Sequence, residues 1–522
     1  PTRQPMRSGE GEGDVSFAPH QVTYGRRLDD WTVRAEVTVP PDDNVEIRRL
    51  TIVNHADQIR RLRVTSYGEV VLNSQETDRR HPAFNKLFIE SEFLEAEQIL
   101  LYRRRPRAEG ETPLYLGHAV AVRGAEVSAV EYEGDRAEFL GRGRTTAAPQ
   151  LVSSKRVLTG HVGATLDPIL SLDQEIALDP RSTAHVAVAI AAGTSREAVT
   201  EVMTRYRQWD AIDRAFTEAK GQSAYALSEL ELTGEDLQRI DRLLAALVYP
   251  YRGLRPEASV IAQNQRGQAT LWAQGISGDY PILLVCVHEE GEIELVTDLL
   301  KAHTYWRERR IQVDLVLLNE KETGYGQELN AQLRRLIERT GADGLLNQRG
   351  GIFVLRADQL GEADRILLLS AARVVLDGGA GSLADQLAAL EDRPVRLPAL
   401  QPTYPGVRES EPTPALEASE ELRFRNGYGG FTPDGKEYVI DLVPGQWTPA
   451  PWINVIASPE FGFLVSEAGL GGTWAGNSQE NRLTPWRNDP VSDEPAEAIY
   501  LRDEQTGAVW SPTPLPVRVR AP

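Results

Sequence analysis

The residues best suited to chemistry lie late in the chain, where tryptophans stand among glycine, proline, asparagine and acidic residues. Five of the nine tryptophans of this 522-residue chain fall between residues 447 and 510. An indole offers an apolar face on which a sugar ring can stack, and Asn, Asp and Arg side chains offer donors and acceptors for hydroxyl groups. The pattern predicts carbohydrate binding, with the candidate contacts Trp452, Asn454, Trp474, Asn477, Arg482, Trp486, Arg487 and Asp489.

Trp452 and Trp486 are the strongest candidates, because prolines stiffen the segments that carry them, Thr448–Asn454 and Asn481–Pro490. A proline lowers the entropy lost when a loop becomes ordered, which suits a preformed binding rim. A structural interpretation stays open beside this one. In it, the indoles cap a β core, and Arg–Asp pairs hold the turns between strands.

Signatures of other chemistry are missing from the sequence. His288-Glu289 lacks the second histidine that a zinc protease needs, and Gly275–Gly278 has the wrong glycine spacing for a nucleophile elbow. No phosphate-binding loop of the Walker type and no Cys/His metal spacing is found. We therefore expect no catalytic residue of these classes, no metal and no cofactor.

Charge and hydropathy restrict the partners of the chain. The formal net charge is −19 and the isoelectric point is about 5.1, which argues against nucleic acid, whose phosphates need a basic surface. No apolar run approaches the roughly 20 residues that span a bilayer, so we predict no direct membrane insertion. The single cysteine, Cys286, lies in the apolar run Ile282–Val287, which predicts a buried, inert thiol.

The first 193 residues carry the pattern of a β-sandwich. Apolar and polar residues alternate from Trp31 to Val39, which is the period of a strand with one buried face. In the next strand the apolar set changes phase at Arg48-Arg49, which predicts a bulge. The segment Asp78–Pro82 is typical of an exposed loop, in which His81 is either a functional residue or a structural, hydrogen-bonded one.

The middle of the chain changes class twice. Residues 194–266 form a predicted helical linker, with helices starting at Thr194 and Thr233. Residues 267–390 form a predicted α/β domain with a small parallel sheet. Its strands are expected at Ile282–Val287, Val313–Leu318 and Ile352–Leu355, and its helices at Ile293–Arg309, Gln327–Arg339 and Glu362–Val375.

The carboxyl edge of such a sheet is where ligands bind, but the first strand runs into the acidic segment His288–Glu292 without a glycine fingerprint. A structural role of the α/β domain is therefore favoured. An enzyme built on it would need a partner for a catalytic group in that segment, and the sequence offers none. Residues 391–420 form a predicted proline-rich linker, and residues 421–522 a Trp-rich β segment, called the terminal block below.

Short motifs of glycine, aromatic and polar residues follow one another in the terminal block: Asn426–Phe431, Asp434–Tyr438, Thr448–Asn454, Gly471–Trp474, Asn481–Asp489, Tyr500–Asp503 and Trp510–Pro512. They resemble the start of the N-terminal β-supersandwich of glycoside hydrolase family 94, the inverting sugar phosphorylases. Earlier segments resemble the C-terminal region of cyclic β-1,2-glucan synthases: Thr65–Leu72, His81–Phe84, Phe139–Arg144, Leu166–Pro168 and Gly275–Asp279. The resemblance covers nearly the whole chain.

The resemblance implies a mixed, β-rich fold. Antiparallel β-supersandwich parts, of the galactose mutarotase-like type, stand at both ends, with the helical linker and the small α/β domain between them. Residues 1–193 resemble the later strands of one supersandwich, and residues 421–522 the opening strands of another. We expect the terminal block either to complete the first sandwich within the same chain or to pair with a second molecule, as a homodimer.

Glucan synthases of this kind are large membrane enzymes that polymerise glucose from UDP-glucose and control chain length with a phosphorylase-like region. The catalytic acid and the phosphate-binding residues of the family belong to an (α/α)6 barrel that this sequence lacks, so no catalytic residue is carried over. The resemblance implies a non-catalytic, carbohydrate-handling or scaffolding segment, inactive alone, in the cytoplasmic part of an inner-membrane enzyme. Its partners would be β-1,2-glucan or another glucose oligosaccharide and the remaining domains of the synthase. The alternative is a purely structural interaction module without sugar affinity.

Overall fold

The computed structural model describes residues 13–154, 157–249, 251–321, 326–388, 421–443, 445–505 and 507–517. The chain divides into two compact units, one of Pro1–Ser223 with Leu400–Pro522 and one of Ala224–Ala399. The first unit is therefore made from two stretches that are far apart in sequence. The predicted proline-rich linker, residues 391–420, lies outside the described residues.

The first stretch of the first unit is dominated by antiparallel strands. Its strands are β1 (Gly13–Ala18), β2 (Gln21–Leu28), β3 (Trp31–Thr38), β4 (Val45–Asn54), β5 (Arg60–Thr65), β6 (Gly68–Glu69), β7 (Ile89–Leu94), β8 (Ile99–Arg104), β9 (Leu114–Arg123), β10 (Glu126–Val127), β11 (Glu131–Asp135), β12 (Pro168–Leu178) and β13 (Thr183–Gly193). Its short helices are α1 (Gln75–Arg80), α2 (Pro82–Lys86), α3 (Arg136–Leu140) and α4 (Gln150–Ser153).

These strands form two sheets that pack face to face. Within the described residues, one has eight strands in the order β1-β2-β3-β4-β13-β9-β8-β7, and the other has five, with β12 pairing β10, β11, β5 and β6. Leu170, Leu172 and Ile176 from β12 pack on Tyr102 and Val186 from the larger sheet. The predicted antiparallel sandwich is confirmed.

The bulge predicted in β4 is wrong. The strand keeps an unbroken register with β13 from Val45 to Val53 and with β3 from Ile47 to Asn54. Its apolar residues change phase because the larger sheet is covered on both faces. Val45 and Ile47 pack under helices, whereas Leu50 and Ile52 point into the sandwich core.

The covering helices are α5 (Arg196–Arg205) and α6 (Trp209–Glu229), which confirms a helical segment after the sandwich. The first helix begins one residue later than predicted, since the Ser195 side chain accepts the amide N–H of Ala198. Gly117 in β9 allows α5 to approach, because a Cβ at this position would lie 2.6 Å from Met203 and 2.7 Å from Val199.

The second unit is an α/β layer structure. Its helices are α7 (Gly234–Val248), α8 (Ala258–Ala262), α9 (Gln268–Trp272), α10 (Ile293–Glu308), α11 (Gly326–Arg339), α12 (Glu362–Ala371) and α13 (Leu383–Ala388). Its strands are β14 (Ile282–Val287), β15 (Asp314–Asn319), β16 (Ile352–Arg356) and β17 (Val374–Asp377). Helix α7 begins at Thr233 in a capping box with Asp236, as the predicted helix start requires.

The strands of this unit form a parallel sheet in the order β16-β15-β14-β17, which confirms the predicted parallel sheet. The sequence pattern does not predict the last strand, because the predicted helix Glu362–Val375 includes Val374 and Val375, the first two residues of that strand. The helix ends at Ala371, and Val374–Asp377 pairs with β14. Alternate β14 side chains enter two separate cores, Leu283 and Val285 on one face and Leu284 and Cys286 on the other.

The terminal block forms small sheets of its own. Its strands are β18 (Gly429–Phe431), β19 (Tyr438–Ile440), β20 (Ile453–Ala457), β21 (Phe461–Ser466), β22 (Gly471–Ala475), β23 (Leu501–Arg502) and β24 (Val509–Trp510). Among the described residues they pair only with one another, as β18-β19, β20-β21-β22 and β23-β24. The block therefore does not extend either sheet of the sandwich there. Across the described ranges, no helix is both long and apolar enough to cross a bilayer.

Candidate functional site

The terminal block contacts the sandwich of the same chain through a group of charged side chains, here called the arginine clamp. Its members are Arg136, Arg142, Asp167, Glu467, Asp489 and Asp493. Arg136 is the first residue of the short helix α3, and Arg142 follows the helix after Gly141. The Asp135 side chain caps α3 by accepting the Ala137 amide. Gly141, with φ at 82°, ends the helix and turns the chain toward Arg142. The helix thus holds both guanidinium groups against the block.

Each arginine of the clamp binds two or more carboxylates. Arg136 binds Asp489 through its two terminal guanidinium nitrogens, at 2.8 and 2.9 Å, and Asp167 at 2.9 Å. Arg142 binds Asp493 at 2.9 Å and Glu467 at 3.2 Å. Both arginines are about nine-tenths buried, with side-chain exposures of 9% and 11%. Buried charges of this kind are stable only when they are paired.

Backbone and apolar contacts accompany the charges. The Gly143 amide donates to the Val491 carbonyl at 2.6 Å, and the Val491 side chain is buried beside Phe139 and Leu140. The Arg142 guanidinium also lies 5.3 Å from the centre of the Trp447 ring. The 489–493 turn of the block therefore packs against α3 and the residues that follow it.

The two aspartates of the clamp have opposite pKa shifts. Burial acts to raise the pKa of Asp489, but hydrogen bonds from Arg136 and Ser492 outweigh it and hold this pKa far below its ordinary value. For Asp493 burial dominates, and its pKa is raised despite the hydrogen bond from Arg142. At neutral pH, the ionised form of Asp489 therefore stabilises the clamp. Burial disfavours the ionised form of Asp493.

A cavity of about 390 Å³, here called the loop basin, lies at another place where the block meets the sandwich. It is lined by Asp78, Arg79, Arg80, His81, Pro82, Ala83 and Phe84 from the sandwich and by Arg482, Trp486, Arg487 and Asn488 from the block. Two aromatic side chains, several hydrogen-bond donors and one carboxylate thus face a single space. This combination of an apolar surface and polar groups suits a polyhydroxylated ligand.

Local sequence shapes the sandwich wall of the basin. The Ser74 side chain caps α1, and His81 ends α1 and begins α2, whose first residue is Pro82. The fixed φ angle of proline suits the first position of a helix. The chain therefore turns sharply at His81, whose Nε2 lies 3.2 Å from the side-chain amide nitrogen of Gln479 in the terminal block.

The other wall depends on a glycine. A Cβ at Gly472 in β22 would lie 3.0 Å from the Cβ of Trp486, so glycine here leaves room for the tryptophan to pack at its base. Trp486 is half-buried. Phe84, which lines the same cavity, is 46% exposed. The two rings offer the stacking surface of the basin.

The basin is rich in positive charge although the chain as a whole is acidic. Arg80 is 3.2 Å from Glu76, and Arg487 is 2.9 Å from Glu494. Arg79 and Arg482 have no carboxylate within ion-pair distance among the described residues. Their guanidinium groups can therefore donate to a ligand without first breaking an ion pair.

The structure brings together three of the eight predicted sugar contacts, Arg482, Trp486 and Arg487. The other five lie outside the basin lining. Trp452 packs edge-on against Tyr428 and Tyr438, with ring centres 5.8 Å apart in both pairs. Trp474 lies over Gly462, where a Cβ would be 2.6 Å from its ring.

The three polar residues outside the basin have local roles. Asn454 is exposed on β20. The Asn477 side chain accepts the backbone amides of Gln479 and Glu480 at 2.8 and 2.9 Å, which fixes a turn. The Asp489 carboxylate is bound by Arg136 of the clamp.

Sequence reasoning singled out the exposed segment Asp78–Pro82, with His81 as either a functional or a structural residue, but it did not predict that sandwich residues meet the block. The basin joins residues about 400 positions apart, a distance that no local pattern spans. One signal was present, since His81–Phe84, Phe139–Arg144 and Leu166–Pro168 all belong to the motifs of the family resemblance. The structure places His81–Phe84 in the basin and Arg142 and Asp167 in the clamp.

No group of three or more His, Cys, Asp or Glu side chains in the described part of the chain is arranged to hold a metal ion. The arginines, aromatic rings and amides of the basin are not metal ligands of the usual kinds. The site can therefore stack, donate and accept hydrogen bonds, which are binding functions.

The family model described as "Glycosyl hydrolase 94, supersandwich domain" matches residues 1–209 and 436–521. The cyclic beta-(1,2)-glucan synthase NdvB of Rhizobium meliloti (strain 1021) is 32% identical over 518 residues, which is 98% of this chain and 18% of that protein. The chain thus spans less than a fifth of the length of this relative.

Two further comparisons cover smaller parts of the chain. The N,N'-diacetylchitobiose phosphorylase of Vibrio furnissii is 37% identical over 90 residues, 17% of this chain and 11% of that protein. Among solved structures, a bacterial glucoamylase complexed with acarbose has a TM-score of 0.27 at 8% identity, covering 42% of this chain and 29% of that chain. A TM-score this low supports no conclusion about function.

Proposed function

The chain belongs to the family of the glycosyl hydrolase 94 supersandwich domain, and from this premise we propose that it is a non-catalytic, carbohydrate-handling segment of a cyclic β-1,2-glucan synthase. Its role is to hold a stretch of β-1,2-glucan for a phosphorylase-like module that controls chain length. It acts in the cytoplasm, within an inner-membrane enzyme, together with the remaining domains of that enzyme. The chain alone carries out neither phosphorolysis nor glucosyl transfer.

The loop basin is the observation that carries this proposal. Trp486 and Phe84 supply faces for stacking, and Arg79 and Arg482 supply donors that no carboxylate among the described residues occupies. Asp78 and Asn488 add acceptors on the same lining. A neutral sugar needs this mixture of faces, donors and acceptors.

Titration of tryptophan fluorescence with linear β-1,2-glucan tests the proposal. We expect a saturable change in the natural protein and about a tenfold weaker affinity in Trp486→Ala, which corresponds to ~1.4 kcal/mol. Trp272→Ala is the matched control, since Trp272 is 62% exposed on α9 and outside the basin. The control should bind glucan as the natural protein does.

Calorimetry is a second measure of binding, since a ligand can bind without changing the fluorescence of any tryptophan. If neither fluorescence nor calorimetry detects glucan at millimolar concentration, the carbohydrate proposal is wrong. Equal affinity in Trp486→Ala and the natural protein would move the sugar site away from the basin.

A structural interaction module without sugar affinity is the second candidate. The clamp favours it, because Asp489 is fully engaged with Arg136 and Ser492 and holds the terminal block in place. Trp452 and Trp474 likewise pack within the block. This candidate predicts no glucan binding in either titration, so the same experiment separates the two.

A further inference from the structure

The second unit contains a crevice at the carboxyl edge of its parallel sheet. Helices α10 and α11 pack on one face of the sheet and α12 on the other, and the strand order β16-β15-β14-β17 reverses at β14. Parallel sheets of this kind bind ligands outside the carboxyl ends of their strands, where the order reverses. A cavity of about 280 Å³ lies at this position.

The crevice is lined by side chains from the ends of β14, β15 and β17, from α12 and from the segment before α8. The polar residues among them, with the cysteine, are Arg255, Cys286, His288, Glu320, Arg365 and Asp377. The sequence pattern does not show this arrangement. It predicts no strand at Val374–Asp377, so it gives no reason to place Asp377 beside His288.

Polar side chains in the crevice are already oriented by one another. His288 Nε2 lies 2.9 Å from an oxygen of Asp377. Arg365 donates to both oxygens of Glu320, at 2.8 and 2.9 Å. Arg255 donates to the Ser370 carbonyl at 2.8 Å, and its Nε atom is buried without a hydrogen-bond partner among the described residues. Groups held in this way are preorganised for a ligand.

The crevice does not fit covalent chemistry. The Cys286 thiol lies at its base, but burial, followed by the charge and hydrogen bond of Glu320, raises the pKa of this thiol to about 12. A thiol with this pKa is almost wholly protonated at neutral pH and is a poor nucleophile. The cysteine is therefore part of the wall, as its position in β14 predicts.

Nor does the crevice fit an anionic ligand. The two carboxylates of Glu320 and Asp377 balance the two guanidinium groups of Arg255 and Arg365. After His288, the segment that follows β14 continues with Glu289 and Glu290, where a phosphate-binding loop would need glycine and free amides. A phosphate in the crevice would meet the carboxylates of Glu320 and Asp377.

A neutral polyol fits these groups. Carboxylates accept from adjacent hydroxyls, guanidinium groups donate to them, and Leu254, Leu369 and Val375 offer an apolar wall. We propose that this crevice binds one neutral hexose unit, either as a free sugar or as part of a glucan. This is a second carbohydrate site, in a different unit from the loop basin, and it does not depend on the basin.

Calorimetry with the full chain carrying Trp486→Ala tests the crevice, because that background weakens the basin. The probes are glucose, linear β-1,2-glucan, glucose 1-phosphate and inorganic phosphate. We expect glucose to bind in the millimolar range and inorganic phosphate not to bind. If linear glucan binds more tightly than glucose, the hexose unit belongs to a glucan. If glucan and glucose bind with equal affinity per site, the ligand is the free sugar.

Asp377→Asn and Glu320→Gln should each weaken glucose binding at least fivefold. Glu362→Gln is the matched control, since Glu362 is exposed at the start of α12 and outside the crevice lining. Circular dichroism of each variant verifies folding, and the more exposed Asp377 provides a readout if Glu320→Gln does not fold. Absence of glucose binding, unchanged binding in both crevice variants, or tighter binding of either phosphate would overturn the proposal. None of these outcomes changes the fluorescence result expected for the basin.

Discussion

The arginine clamp and the loop basin both lie between the terminal block and the sandwich, and they use arginine in opposite ways. In the clamp, Arg136 is 9% exposed and binds carboxylates of Asp167 and Asp489. In the basin, Arg487 is 65% exposed, and Arg482 is also exposed. A buried guanidinium must be paired, whereas an exposed one is solvated and contributes little to stability. The clamp therefore fixes where the block lies, and the basin is left for a ligand.

The largest effect is expected when the clamp loses Arg136. Arg136→Met keeps the length of the side chain but leaves Asp489 buried without its cation, which should cost ~3–5 kcal/mol of stability. Because Arg136 binds the block to the sandwich, the loss should appear as cleavage of the terminal block by protease and as a lower urea midpoint. Glucan affinity at the basin should fall as well, since the block supplies Trp486.

Arg181→Met is the control for that variant. Arg181 pairs with Asp57 at 2.6 Å, but the two side chains are 73% and 79% exposed, so its loss should leave the urea midpoint almost unchanged, because solvent screens an exposed ion pair. If Arg136→Met is no less stable than this control, the clamp does not hold the block.

Acid should affect the two aspartates of the clamp in opposite directions. The folded pKa of Asp489 is depressed, so its contribution to stability is present above its unfolded pKa of about 3.9 and is lost as the pH falls through the folded value. The folded pKa of Asp493 is raised, so its protonation favours the folded state as the pH falls.

Urea midpoints measured between pH 5 and pH 2 test this difference. Asp489→Asn should make stability depend less on pH than in the natural protein, and Asp493→Asn should make it depend more. The size of either effect should be smaller than the loss in Arg136→Met, because Arg136 retains Asp167 and Arg142 retains Glu467. Parallel pH profiles for all three proteins would contradict the assigned shifts.

The elements of the fold could be predicted where the apolar pattern fits only one structure. The six consecutive apolar residues of β14 are too few for a helix, and the predicted strand Ile282–Val287 has the observed bounds. Prediction failed where the pattern fits two structures. The phase change in β4 was interpreted as a bulge because sequence does not show that helices cover the second face of its sheet. The apolar residues Val374–Leu376 are compatible with a helix and with a strand. Only their pairing with β14 shows that they form a strand.

The candidate site could be predicted only in part, for a related reason. Residue types suggested sugar binding, and the proline-stiffened segment placed Trp486, Arg482 and Arg487 in one loop. The residue types did not show which polar side chains are already hydrogen-bonded or ion-paired within the protein. Asp489 lies in the same proline-containing segment as Arg487. It is bound, however, by Arg136, which lies about 350 residues earlier in the chain. Such pairings depend on tertiary contacts and leave no local signal.

The smallest effect is expected for Arg79, one of the two basin arginines without an ion-pair partner among the described residues, and it sharpens the contrast with the clamp. Arg79→Ala removes an exposed guanidinium with no ion-pair partner among the described residues, so stability should be unchanged. A hydrogen bond from this group to a sugar hydroxyl replaces one with water, and its net worth is about 0.5–1 kcal/mol. Glucan affinity should therefore fall about two- to fivefold in the fluorescence titration, equally at low and at high salt, because a neutral ligand is not screened. A loss that is much larger at low salt would mean that the basin binds an anion, and its arginines would then act through charge, as those of the clamp do.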